Sequence, residues 1–283
     1  MLALRLLLVI STLPLWESIQ QMTKLLRFTI PSAAAAVLGL ATAPAQAATV
    51  NYIGCGQDAT FCTLTQLLNG GSIEVDEDGN STIEKTFSNW KNYDFSKSPN
   101  ANTLVNPEGD IQVRATGTYI PGGSGSATLN YTVVNNALLL EPPLPAGNAV
   151  SWSATVYFEF DVTSAQYVPI IEQTDELTGA LVVGPTSGTT SYASFNNTTL
   201  SSDNMSMMTD TMLISPPSTT VMIGNTLDLR ARRIRTPTPL VGTSQITSFS
   251  QTFTQVVIPE PGTVVGLLVV GGLGLAMKRK QQG

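Results

Sequence analysis

The chain has no histidine. Neither a Ser-His-Asp nor a Cys-His arrangement can therefore be built, and the usual neutral-pH general base is missing. Carboxylates, two cysteines and one short basic run remain as groups able to do chemistry. Glu159 and Asp161 stand two residues apart in an alternating stretch. On a strand that puts them on one face, roughly 7 Å apart, a spacing that could suit the acid pair of a sugar hydrolase. They share the polar face opposite Phe158 and Phe160, where solvated acids are the simpler reading. In the run from Leu229 to Arg235, Arg230, Arg232, Arg233 and Arg235 make up half of the eight cations between residues 48 and 258. Arg230 and Arg232 fall on the same side of a strand, where guanidinium forks can bind the carboxylates or sulfates of an acidic polysaccharide. The plainer alternative is that these arginines guard an edge strand against pairing with another chain.

Cys55 and Cys62 lie close together near the start of the domain. In an exported chain they read as a local disulfide, worth roughly 2 to 3 kcal/mol by loop closure. A metal or redox pair would need further Cys or His ligands or a Cys-x-x-Cys spacing, and neither is present. The acidic run Glu74-Val75-Asp76-Glu77-Asp78-Gly79-Asn80-Ser81 has the alternation of a calcium loop. It departs from an EF-hand, because Ser81 takes the apolar position and Lys85 falls where the bidentate glutamate belongs. We read a solvated hairpin turn, with no metal and no cofactor.

The elements around these residues alternate at period two. Ile111, Val113, Ala115, Gly117 and Tyr119 form one such series, and Trp152, Ala154, Val156, Phe158, Phe160 and Val162 form the clearest, predicting a central strand with one face in the core. Residues 121–126 are Gly/Ser-rich and read as a flexible turn into a strand over 127–134. Residues 141–145 hold three prolines and read as an extended connector. Further strands are predicted at 167–171, 180–183, 220–232 and 245–257. Thr63 to Leu68 reads as one short helix stopped by Gly70 and Gly71, with a strand following, and Phe87 and Trp90 should anchor residues 88–94 in the core. The predicted fold is mainly β: a β-sandwich or jelly roll over residues 48–256 with one short N-terminal helix.

Both ends are unlike this middle. Residues 22–47 run from Lys24 and Arg27 through an apolar stretch to Ala45-Gln46-Ala47, the pattern of a signal peptide cut before Ala48. Residues 1–21 add nothing such a leader needs, so Met22 is the expected start, with an uncleaved N-terminal span as the alternative. At the other end, Pro259-Glu260-Pro261 precedes an apolar run over 263–277 and then Lys278-Arg279-Lys280. The prolines forbid helix before about Gly262. The apolar run would span roughly 22 Å as a helix, short of a hydrocarbon core near 30 Å. Snorkelling by Lys278 and Lys280 and local thinning would make up the difference. The cations place that end in the cytoplasm and everything before it outside.

Those three parts in order, with Gly266, Gly271, Gly272 and Gly274 in the apolar run, resemble the PEP-CTERM sorting signal, cyanobacterial members most of all. The stretch from Cys55 to Ile73 is similar, more loosely, to the mature starts of other such proteins. The resemblance covers residues 257–283. It implies an exosortase that recognises Pro259, Glu260 and Pro261, cuts near them, and releases or attaches the domain at the cell surface or in an exopolysaccharide matrix. An ordinary single-span anchor is the alternative, and both readings export the domain. Between residues 48 and 258, eight cations face eighteen acids, a net charge of −10. That balance favours neither nucleic acid nor an anionic membrane surface as partner. The expectation is a non-enzymatic surface or matrix protein whose processing partners are signal peptidase and an exosortase. A carbohydrate-binding module or adhesin is the alternative, and a glycan hydrolase a more distant one.

Overall fold

The computed structural model describes residues 48–98, 104–120, 124–141, 150–165, 168–183, 189–195, 198–202, 208–234 and 240–256. Period-two sequence becomes strand through almost all of them. In chain order the strands are β1 (Thr49–Ile53), β2 (Cys62–Thr63), β3 (Ser72–Asp76), β4 (Lys85–Lys97), β5 (Ile111–Tyr119), β6 (Ser124–Val133), β7 (Leu139–Leu140), β8 (Val150–Ser164), β9 (Ile170–Val183), β10 (Thr190–Phe195), β11 (Thr198–Ser202), β12 (Met208–Ser218), β13 (Thr220–Ile234), β14 (Leu240–Val241) and β15 (Thr243–Val256). Among the described residues the only α-helix is α1 (Leu64–Leu68). No helix among them is long and apolar enough to cross a membrane. The predicted signal peptide, the apolar run over 263–277 and the connector after Glu141 lie outside the described residues.

The strands form two antiparallel sheets. The first has eight strands, ordered β1, β3, β4, β8, β13, β10, β11 with β14 beside β13; the second has seven, ordered β12, β9, β15, β6, β5, β2 with β7 beside β15. The inner faces meet through aromatic rings. Phe87 of β4 lies 5.6 Å from Phe253 of β15, and Tyr131 of β6 lies 6.0 Å from Phe158 of β8. Within each sheet Trp90 stacks on Phe160 at 4.4 Å and Tyr131 on Phe249 at 4.1 Å. Each fully buried large apolar side chain contributes about 1.5–3 kcal/mol by leaving water, so this shared layer is the main force joining the sheets.

The central strand predicted from the 152–162 alternation is β8, paired to β4 on one side and β13 on the other, with all six of its apolar positions buried. The hairpin predicted around residues 121–126 joins β5 to β6, although Ser124, Gly125 and Ser126 already belong to the strand and not to the turn. Helix α1 forms as expected. Thr63 and Gln66 close a capping box, and Gln66 Nε2 also donates to the Cys55 carbonyl at 3.0 Å, tying the cap to the Cys55–Cys62 disulfide. Gly70 ends the helix at φ +96°, a conformation few other residues take readily.

One expectation needs correction. The strands predicted at 167–171 and 180–183 are not separate, because β9 runs unbroken for 14 residues. Gln173 and Asp175 occupy its inward phase, buried, so the apolar alternation that marks a strand is interrupted by amide and carboxylate. They are satisfied inside: Gln173 Nε2 donates to both Asp175 oxygens, at 2.8 and 3.0 Å, and Gln251 Nε2 to Asp175 at 3.1 Å. Phe87 and Trp90 are buried and anchor residues 88–94 as expected; these belong to β4, which spaces Phe87, Trp90 and Tyr93 three apart, not two. Asn89 (φ +54°) and Asn92 (φ +55°) each sit at a register shift against β8. Each bulge adds one residue and returns the next aromatic to the inner side, Tyr93 only partly buried there.

Candidate functional site

The arginine run lies on β13, an interior strand between β8 and β10. The edge-guarding account is thereby overturned, since both sides of β13 are hydrogen-bonded along the arginine positions. Strand alternation also divides the cluster. Arg230 and Arg232 face outward, Arg233 is turned inward and buried, and Arg235 lies outside the described residues.

Arg230 and Arg232 help line an open groove of about 660 Å³ on the outer face of the first sheet. Ser151, Trp152, Ser153 and Thr155 of β8, Thr190 of β10 and Asp228 of β13 line the rest. Antiparallel register brings them together, with Arg230 opposite both Ser153 and Thr190. Asp228 organises the floor: its Oδ2 accepts from Arg230 Nε at 3.1 Å and from a terminal Arg230 nitrogen at 2.9 Å, and its Oδ1 accepts from the Thr155 hydroxyl at 2.8 Å. Two guanidinium groups and one carboxylate leave the lining only mildly cationic. Its chemistry is alternating donors and acceptors on a broad hydroxylated surface, with two guanidinium groups able to meet carboxylates of a hydrated ligand.

Glu159 and Asp161 also lie on the outer face of β8, half-buried. The β4 bulges reach both: Asn92 Nδ2 donates to Glu159 at 2.7 Å and Asn89 Nδ2 to Asp161 at 2.6 Å, with Lys91 Nζ 3.9 Å from Asp161. The Tyr157 hydroxyl donates to Glu159 as well, and that hydrogen bond holds the phenol pKa above its usual value. These carboxylates fasten the bulged strand to its neighbour.

The acidic turn is not the solvated hairpin expected. It does join β3 to β4, but Asp76 and Glu77 are buried. Oxygens of Asp76, Asp78 and Glu84 lie within 4.8 Å of one another. Backbone amides occupy them: Asp76 accepts from Asn80 N at 3.1 Å and Ser81 N at 2.8 Å, Asp78 from Asn80 N at 3.0 Å, and Glu84 from Glu77 N at 2.6 Å. The acids close a tight turn, and we assign no metal to them. Glu77 continues the inward phase of Ile73 and Val75, reaching the buried amine of Lys85 and, across the core, the buried Gln255. Burial holds the carboxyls of Glu77 and Glu84 above the usual carboxylate range and the Lys85 ammonium below its usual value. Composition alone did not reveal this cluster. Period-two phase was the available signal, since residues 73, 75 and 77, residues 85 and 87, and residues 253 and 255 each share one face.

Cys55 and Cys62 are joined as a disulfide. Ala48 begins the described chain, while Ala45, Ala47, Pro259, Glu260, Pro261, Lys278, Arg279 and Lys280 lie outside it.

Fold and site together define a disulfide-stapled, mainly β domain with a polar surface groove. The sequence matches no protein-family model and no curated protein. Among solved structures it is similar to a GH31 alpha-xylosidase from Xanthomonas citri, at 8% identity over 69% of this chain and 31% of that one, with a TM-score of 0.17. A likeness at that score carries no argument about activity.

Proposed function

We propose that this chain is an exported protein of the cell surface or extracellular matrix, sorted through its C-terminus by an exosortase, with its β-sandwich domain as a structural or interaction module. The observation that carries this reading is the ordered tail of Pro259-Glu260-Pro261, the apolar run over 263–277 and Lys278-Arg279-Lys280, behind a leader ending in Ala45-Gln46-Ala47. The Cys55–Cys62 disulfide supports it, because such bonds persist where thiols are oxidised. Signal peptidase then cuts before Ala48, and residues 263–277 hold the chain in the membrane with the cations inside. Pro259, Glu260 and Pro261 act as substrate residues and not as catalysts. Fractionation of the host tests this. Wild-type protein should appear at the surface or in the medium, and Glu260→Ala should stay in the membrane; identical membrane retention of both leaves an ordinary anchor.

The groove favours a second role, glycan binding by the same exported domain. Retention on an acidic-polysaccharide resin should fall at least tenfold when Arg230 and Arg232 both become Ser, with the variant still unfolding in one cooperative transition. Unchanged retention, or no retention of wild type, rejects this role and leaves the sorting reading intact.

A further inference from the structure

One buried carboxyl joins the two sheets. Lys85 opens β4 and Glu77 follows β3, both on the inner side of the first sheet; Gln255 stands on the inner side of the second, on β15. Lys85 Nζ contacts Glu77 Oε1, and Gln255 Nε2 donates to Glu77 Oε2 at 2.9 Å. Exposure is 0% for Lys85, 1% for Glu77 and 2% for Gln255. Gly125 lies directly opposite Gln255 on β6. A Cβ there would collide with Glu77 Oε2 and sit 3.2 Å from Gln255 Nε2, so the missing side chain makes room for the meeting.

A structural ion pair explains Lys85 and Glu77 but leaves Gln255 unexplained. The Gln255 carbonyl oxygen is buried without a hydrogen-bond partner, a desolvation cost that an apolar residue would avoid. An amine, a carboxyl and a carboxamide enclosed away from water are the parts needed for acyl transfer: nucleophile, proton carrier and acyl donor. We propose that Lys85 and Gln255 join in an intramolecular isopeptide bond across the two sheets, with Glu77 carrying the proton.

The neutral Lys85 amine attacks Cδ of Gln255. The Nζ–Cδ bond forms and the Cδ–Nε2 bond breaks. Glu77 takes a proton from Nζ and returns one to the departing nitrogen, so ammonia leaves and Glu77 ends as it began. No oxidant, metal or co-substrate enters the balance. Burial supports the required protonation states, disfavouring both the Lys85 ammonium and the Glu77 carboxylate. A half-turn of the Gln255 carboxamide presents its carbonyl oxygen to the Glu77 acid, which gives that orphaned oxygen a donor and polarises the bond under attack. The product replaces a buried amine with an amide and ties β15, the strand leading into residue 257, to the other sheet.

Peptide mapping of the full chain by tandem mass spectrometry, after reduction, tests this without any mutation. The expected result is a branched peptide joining the Lys85 and Gln255 segments, lighter than their sum by one ammonia, with trypsin failing at Lys85. Glu77→Gln should give the two segments unlinked. Recovery of Lys85 and Gln255 in separate unmodified peptides from folded wild-type protein overturns the proposal. A Lys85–Glu77 link lighter by one water overturns it as well, and a link that persists in Glu77→Gln removes Glu77 from the chemistry.

Discussion

Lys85 and Glu77 are the residues whose burial is hardest to reconcile with their type, and each is tolerable only because of the other. Removing one partner of such a pair strands the remaining charge and costs about 3–5 kcal/mol. Lys85→Met, which also lacks the proposed cross-link, should therefore lose at least that much at neutral pH in urea unfolding, while Glu77→Gln together with Lys85→Met should lose less. The pH dependence has a definite sign. Burial raises the Glu77 pKa and Lys85 is the largest influence lowering it, so the single variant raises it further. The native state then binds a proton that the unfolded state, near the ordinary glutamate value, has already released. Stability of Lys85→Met should be greatest below the unfolded glutamate pKa, and should fall as pH rises through the folded one. A loss that does not change with pH would show that Glu77 is not buried alone in the variant. None of this was legible from residue type, because acids and lysines in a Gly/Asn turn ordinarily signal solvent. Arg233 is misleading in the same way, a cation placed inward by strand phase within a run that looks uniformly exposed.

At the scale of elements, long alternations were legible and their interruptions were not. Strand β8 follows directly from Trp152 to Val162, whereas β9 is concealed by Gln173 and Asp175 in its inward phase. β12 is concealed by Pro216 and Pro217, which its place at the edge of the second sheet accommodates because an edge strand can lack ladder donors. The β4 bulges repeat a short pattern, Asn89-Trp90 and then Asn92-Tyr93, that period-two reading skips. Their backbone makes a graded expectation. Asn92→Val forces a β-branched residue into left-handed backbone and discards the Glu159 contact, and should cost about 2 kcal/mol; Asn92→Gly loses only the contact and should cost under half of that. Equal losses in urea unfolding would mean that the hydrogen bond, not the bulge, sets the cost. The disulfide acts on the α1 element in a comparable range. Cys55→Ser with Cys62→Ser should lower unfolding stability by about 2.5 kcal/mol through loop entropy, and an unchanged midpoint would show that the capping box holds this segment without it.

At the scale of the whole molecule, the described residues between 48 and 256 form two antiparallel sheets, and the sequence at either end differs from them in composition. The two sheets meet over aromatic rings, and a polar groove lies on the outer face of the first. In the proposed reading the ends supply direction: residues 22–47 as a leader to start export and the proline-bounded apolar run over 263–277 to finish it. The most direct measurement is the intact mass of the protein recovered from the surface and medium of its host. We expect a chain that begins at Ala48 and lacks residues 263–283. A recovered mass that retains the leader, or an uncut C-terminus through Gly283 in surface and medium fractions alike, would contradict export with exosortase processing.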